Sequence, residues 1–168
     1  MGTPAPETRR GRRSALRRAL LLVALAAGTA LVEDAVRAAD DDYPVTTLEI
    51  RTAHGRQSFN IRIADTAQRQ ELGLMYQTRL PANEGMLFPQ PEPRVMSMWM
   101  KNTYIPLDML FIDARGRIAC LLANTQPQSH EILRCAKPVK AVLEIGGGEA
   151  ADQGIRVGDR VIYTLPAD

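Results

Sequence analysis

Reactive and metal-binding side chains are scarce in this sequence. Its 168 residues include two Cys, two His and one Trp, and contain no Gly-x-Ser-x-Gly, Walker phosphate loop, His-Glu-x-x-His or Cys-x-x-Cys. Each of these patterns places a nucleophile, a phosphate-binding loop or metal ligands at the spacing that its chemistry needs. Their absence removes sequence support for the corresponding hydrolases, nucleotide-binding enzymes, zinc proteases and dithiol redox proteins.

The chain also lacks an apolar run of the roughly 20 residues that an ordinary transmembrane helix needs. Its apolar run at residues 19–32 has fourteen uncharged residues and follows a segment, residues 9–18, with six Arg. Candidate cleavage motifs are Gly28-x-Ala30, near the end of this run, and Val36-x-Ala38, after it. This order is typical of a secretory signal, so we assign residues 1–39 to a signal peptide and its cleavage region. An uncleaved membrane anchor and an internal helix are the alternatives.

Positive charge is scarce once that segment is set aside. Residues 1–39 hold seven Arg and three acidic residues out of 21 basic and 19 acidic in the chain, which leaves 14 basic and 16 acidic. The net charge falls from +2 to −2. A basic surface is the usual electrostatic feature of nucleic-acid binding. We therefore expect no nucleic-acid partner, and no membrane contact after signal cleavage, in a periplasmic or secreted protein.

The two cysteines, Cys120 and Cys135, allow one pairing within the chain. An exported protein meets an oxidising environment in which a disulfide persists. Free cysteines that are buried behave as small apolar side chains. The sequence leaves both alternatives open.

The remaining chain has the pattern of short strands. Residues 40–44 are acidic, end in Pro and form a linker, and residues 45–168 form one domain. Alternation of apolar and polar residues predicts a half-buried strand at 58–64, and strand-favouring or apolar composition predicts further strands at 45–51, 86–88, 118–123, 139–145 and 160–165. Asp65, as an N-cap, begins a short helix that runs through Met75, and a second short helix follows residues 146–148. We predict an α+β domain that is mostly β, either a compact antiparallel sandwich or a partly closed barrel, with two short helices.

The central stretch, residues 94–113, predicts a hairpin. Arg94–Lys101 and Leu107–Asp113 have strand composition and flank a polar loop that ends in Pro. A register that places Lys101 opposite Asp108 also places Met98 and Met100 beside Phe111 and Met109. Both faces are then largely apolar, which indicates an interior hairpin covered on two sides.

Within this stretch, Trp-Met-Lys-Asn-Thr-x-Ile-Pro-Leu-Asp (residues 99–108) resembles the hallmark of the family called domain of unknown function 192. Residues 73–75, 84–88, 142–144 and 154–161 extend the likeness, and Met98 departs from it because the family usually has an aromatic residue there. The resemblance implies a small exported protein with a compact β-rich fold. It implies no settled activity, so no catalytic residue is transferred.

The hairpin loop is the candidate ligand-binding site. A buried carboxylate must be paired or hydrogen-bonded, and the nearest donors to Asp108 in sequence are Lys101, Asn102 and Thr103. These four residues, with Trp99 as a wall, would surround a pocket. The alternative is structural: Asp108 accepts from backbone amides and holds the loop Asn102–Leu107 in place.

Two other functions use neighbouring residues. Asp108, Lys101 and Glu144 together would suit acid–base catalysis, although an edge or solvent-facing position fits Glu144 better. The thioethers of Met96, Met98 and Met100 recur with period two and would suit Cu(I), although a core face filled with Met fits them better. We therefore expect an exported small-ligand-binding or accessory domain, with a small molecule as its partner and no cofactor or metal. Whether it is an enzyme, and its oligomeric state, stay open.

Overall fold

The computed structural model of the protein describes residues 43–165. The predicted signal peptide, and the linker up to residue 42, lie outside the described residues. Within that range no helix is both long and apolar enough to span a membrane. The described elements, in chain order, are β1 (Val45–Thr52), β2 (Gly55–Ile63), α1 (Ala67–Leu72), β3 (Glu84–Arg94), β4 (Ser97–Met98), β5 (Leu107–Ile112), β6 (Ile118–Leu122), β7 (Leu133–Arg134), β8 (Val139–Gly146), α2 (Glu149–Asp152) and β9 (Arg160–Tyr163).

Seven of the described strands form one sheet in the order β6-β5-β8-β3-β2-β1-β9, and β4 pairs with β7 separately. Only β2 and β3 run parallel among the seven; the other neighbours are antiparallel. The two ends of the sheet meet, because Arg117, the residue before β6, bridges to Arg160 of β9. The backbone amide of Ile118 also donates to the carbonyl of Asp159 at 3.0 Å. The sheet therefore curls into a partly closed barrel, which confirms the predicted fold class.

Each face of the sheet has its own core. The concave face carries side chains such as Leu48, Phe59, Leu110 and Leu143 in one buried cluster. The outer face of β3, β5 and β8 carries a second cluster, which includes Met86, Met109 and Phe111. Segments between residues 64 and 106 and the short β4–β7 sheet cover this outer face. Strand β5 is buried along its whole length because both faces are covered.

The predicted central hairpin is wrong. Strand β5 lies between β6 and β8, while only Ser97 and Met98 of the preceding segment form a strand, and they pair with β7. Lys101 is therefore not opposite Asp108. The hydrophobic pattern indicated correctly that β5 is covered on both sides, but it could not distinguish a local partner from strands distant in the sequence.

Two local predictions also need correction. Helix α1 is capped by Thr66, whose hydroxyl accepts from the Arg69 amide at 3.2 Å, while Asp65 forms an ion pair with Arg69 at 2.7 Å. Strand β3 continues past Pro89, where the sequence predicted its end. It does so because β2 pairs with it only as far as Leu87. Beyond that point no strand of the described residues pairs with this edge, and a proline that lacks an N–H is tolerated there.

Of the two alternatives that the sequence left open for Cys120 and Cys135, the disulfide is the one present, with 5.9 Å between the two Cα atoms. Cys120 belongs to the edge strand β6, and Cys135 follows β7. The bond therefore links the small covering sheet to the edge of the main sheet.

Candidate functional site

Asp108 is a buried structural anchor at the start of β5. Its side chain is fully buried, and Oδ1 accepts backbone N–H bonds from Asn124 at 2.6 Å and Gly148 at 3.0 Å. Its Oδ2 accepts from the amide of Ala150 at 2.8 Å. The carboxylate thus links three segments of the chain. This agrees with the structural alternative, except that the amides belong to the loop after β6 and to α2 rather than to the loop before β5.

Lys101 lies on the surface and contacts Trp99 instead of Asp108. Its ammonium nitrogen is 5.5 Å from the centroid of the Trp99 ring, a distance at which a cation is attracted to the ring face. The Trp99 side chain is half exposed. No ion pair joins Lys101 to an acidic side chain within residues 43–165.

Asn102 and Thr103 have different roles in the loop. Asn102 has a positive φ of 57°. Its side-chain NH₂ donates to the Tyr76 hydroxyl at 3.0 Å, and its backbone carbonyl accepts from the backbone N–H of Tyr76 at 2.8 Å. The ring of Tyr76 in turn meets that of Tyr104 edge to face, with 6.1 Å between centroids. Asn102 therefore holds the loop to the segment after α1, whereas Thr103 is buried and lines a cavity.

That cavity lies between the segment after α1 and the outer face of the sheet. Its lining includes Leu74, Phe88, Met98, Trp99, Thr103 and Glu144, and its volume is about 30 Å³. We call it the Trp99–Glu144 cavity. A water molecule needs about 10–15 Å³ on this measure, so the cavity has room for about two waters or one small chemical group.

Glu144 lies in the middle of β8 and contributes the buried carboxyl of the cavity. Its cross-strand neighbours are Met86 on β3 and Met109 on β5, and only 4% of the residue is exposed. No hydrogen bond or ion pair to its carboxyl is formed within the described part of the chain. Burial disfavours the charged form and raises the pKa of Glu144 to about 8.

The sequence-based interpretation of Glu144 as edge or solvent-facing is wrong, because β8 is an interior strand. The available signal was the position of this Glu between Leu143 and Ile145 in an apolar strand. Alternation within one strand predicts only which side chains share a face. The burial of Glu144 depends also on β3 and β5, which flank β8 on both sides.

Asp108 and Glu144 do not share a site. Asp108 pairs with Ile145, and Met109 pairs with Glu144, across the β5–β8 ladder. Since successive residues of a strand point to opposite faces, Asp108 belongs to the concave face and Glu144 to the outer face. The structure thus does not bring Asp108, Lys101 and Glu144 together for acid–base chemistry.

The methionines near Trp99 are mainly core residues. Met96 and Met100 are buried in the same cluster as Met109 and Phe111, and Met98 packs against it half-buried. The Thr125 hydroxyl lies 3.1 Å from the sulfur of Met100. Strand β4 is only two residues long, so the period-two argument does not hold for all three. Within residues 43–165 no three His, Cys, Asp or Glu side chains come close enough to hold a metal ion.

These features define a class of protein: a small, partly closed β-barrel with a narrow cavity between its outer face and a covering layer. The model of the family DUF192, described as "Uncharacterized ACR, COG1430", matches residues 49–163. The chain belongs to this family, which confirms the resemblance seen in the sequence. No curated protein matches the chain.

Two solved structures are similar to this chain along most of their length. A Sinorhizobium meliloti protein, described as a proposed transcription regulator, is 38% identical with a TM-score of 0.70, covering 72% of this chain and 95% of its own. A Novosphingobium aromaticivorans protein of unknown function is 39% identical with a TM-score of 0.69, covering 70% of this chain and 84% of its own. At these identities and TM-scores, the two proteins share the fold of this chain over the residues covered.

Proposed function

We propose that this protein is an exported small-ligand-binding domain whose site is the Trp99–Glu144 cavity. The observation that carries the proposal is the carboxyl of Glu144, which is buried, borders the cavity and lacks a partner among residues 43–165. Burial of a polar group without a partner costs free energy. A ligand that hydrogen-bonds this carboxyl recovers that cost, so the position favours binding over packing alone.

The proposed site shares two residues with the loop predicted from sequence. Trp99 and Thr103 line the cavity beside Glu144. Lys101 contacts the Trp99 ring, and Asn102 braces the loop through Tyr76. In the proposal, therefore, Trp99 and Thr103 contact the ligand, and Lys101 and Asn102 hold the loop in position. Asp108 anchors the start of β5 from the opposite face of the sheet and lies outside the proposed site.

The proposal of export rests on the N-terminal sequence and on the disulfide. Residues 9–32 have the order of a basic segment followed by an apolar one. A disulfide such as Cys120–Cys135 persists in the periplasm or outside the cell, whereas the cytosol keeps thiols reduced. Both features favour a periplasmic or secreted location.

A fragment screen observed through Trp99 tests ligand binding. The chain has one Trp, so its indole N–H gives a single side-chain signal of that type in a ¹H–¹⁵N spectrum. We expect small polar fragments to shift this signal together with the amides of Leu74, Thr103 and Glu144. Thr103→Val, which has nearly the same shape, removes one polar atom and should weaken the response. If no fragment in a chemically varied set shifts these signals together, the proposal is refuted.

A further inference from the structure

The charged residues that line the Trp99–Glu144 cavity are both acidic. Glu144 lies in β8, and Glu71 lies in α1 with its side chain exposed near the opening. Among residues 43–165, no Lys, Arg or His lines the cavity. Once Glu144 is ionised, a site with these two carboxylates attracts a cation and repels an anion, and the low dielectric around the buried carboxylate strengthens both effects.

Resting on the function proposed above, we propose that the cavity binds a small organic cation, a primary ammonium group, with Glu144 as its counter-ion. A primary ammonium has three N–H donors, and the carboxylate of Glu144 accepts from it. Trp99 provides an aromatic wall whose face attracts a cation. The ammonium of Lys101 already lies 5.5 Å from the centroid of this ring, which is the same kind of attraction. Because its like charge opposes a second cation, the carboxylate of Glu144 has to offset that repulsion.

The size of the cavity limits what it encloses. Its volume of about 30 Å³ holds an ammonium group with a methyl group but not an amino acid or a sugar. A larger ligand would insert its amine and leave the rest of the molecule outside, near Trp99 and Glu71. The ligand class is therefore molecules that end in an unhindered primary amine.

Binding of the cation is coupled to loss of a proton from Glu144. Burial raises the pKa of the Glu144 carboxyl to about 8, so near pH 7 the free protein holds it neutral. When the ammonium binds, the O–H bond of the carboxyl breaks, the proton passes to the solvent, and the carboxylate pairs with the ammonium. The other charged groups near this site are Glu71 on α1 and Lys101 at the Trp99 ring. The neighbouring strands β3 and β5 face Glu144 with uncharged Met86 and Met109.

Methylammonium chloride is the probe that tests this inference, at constant ionic strength and on the mature chain with its disulfide intact. The Trp99 indole signal should shift with methylammonium but not with acetate or acetamide at equal concentration. Affinity should rise about tenfold per pH unit up to about pH 8 and level off above it, which is the behaviour of a single linked proton. Calorimetry in two buffers of different ionisation enthalpy should show nearly one proton released per ligand at about pH 7.

Two isosteric variants separate the roles of the acids. Glu144→Gln should abolish the methylammonium response and its pH dependence, while Glu71→Gln at the opening should weaken binding less than fivefold. The pH profile of the unmodified protein tests the coupling even if a variant folds poorly. Response to acetate or acetamide alone, or methylammonium binding that does not change with pH, would overturn the cation inference and leave ligand binding standing. If neither these probes nor the fragment set shifts the Trp99 signal, both proposals fail.

Discussion

Replacing Asp108 by Asn separates the structural anchor from the ligand site. The two side chains have nearly the same shape, but an amide has one acceptor oxygen where the carboxylate has two. If that oxygen stays with Asn124 and Gly148, the amide NH₂ faces the N–H of Ala150, and this buried donor loses its partner. An unpaired buried donor costs about 1–3 kcal/mol, and bonds to a charged acceptor contribute about 1.5–3 kcal/mol each.

Together these effects predict a loss of about 3 kcal/mol in the free energy of unfolding for Asp108→Asn. For a domain of this size each kcal/mol corresponds to roughly 3–4 °C, so Tm should fall by about 10 °C. Urea denaturation followed by far-UV circular dichroism measures the change. Asp113→Asn is the matched control, because Asp113 also accepts two backbone N–H bonds but lies partly exposed in its own turn. Equal losses in both variants, or a loss below about 1 kcal/mol in Asp108→Asn, would refute the anchor role.

Three further predictions follow from the described contacts and from the N-terminal sequence. Because the pKa of Glu144 rises from 4.5 to about 8 on folding, the native state holds a proton that the unfolded chain releases, so stability falls as pH rises between these values. Glu144→Gln removes that fall and should be more stable than the unmodified protein by on the order of 4 kcal/mol at about pH 8, with little difference below about pH 4.5. Urea denaturation curves of the two proteins that coincide at about pH 8 would contradict this prediction. Cys120→Ser should lower the free energy of unfolding by roughly 3 kcal/mol, since the disulfide closes a loop with a sequence separation of 15. Quantitative alkylation of both thiols in the unreduced, unfolded protein would contradict the presence of the disulfide. Intact-mass analysis of periplasmic protein should find a start between residues 31 and 40, and a soluble cytoplasmic form that retains Met1 would contradict export.

The fold class was predictable because its signals are local. The strands at 45–51, 118–123 and 139–145 lie within a residue of their positions in the structure. Strand-favouring composition and the turn residues on either side determine such elements with little help from the rest of the chain. The uniform burial of β5 was also evident from its apolar composition. With two cysteines only one pairing within the chain was possible, but the sequence did not show that the two side chains lie close enough to bond.

The partners of β5 were not predictable, and the error in the site followed from that. A hairpin with the adjacent segment satisfies the hydrophobic pattern as well as insertion between β6 and β8 does, and only long-range packing decides between them. The hairpin model placed Lys101 beside Asp108. In the structure the three donors to Asp108 are backbone amides. Because every residue except proline has a backbone N–H, the sequence does not mark which of them donate. Glu144 was recognisable as an acid in an apolar strand, but its role depended on the strands beside it.

The titration of the Glu144 carboxyl carbon by ¹³C NMR, with and without methylammonium, tests the central claim most directly. The free protein should show a midpoint at about 8, because the carboxyl is buried and unpartnered. Saturating methylammonium should lower that midpoint by at least about two pH units, because the bound cation favours the carboxylate and nearly one proton is released at about pH 7. A midpoint close to 4.5 that methylammonium leaves unchanged would contradict both the buried state of Glu144 and its role as the counter-ion.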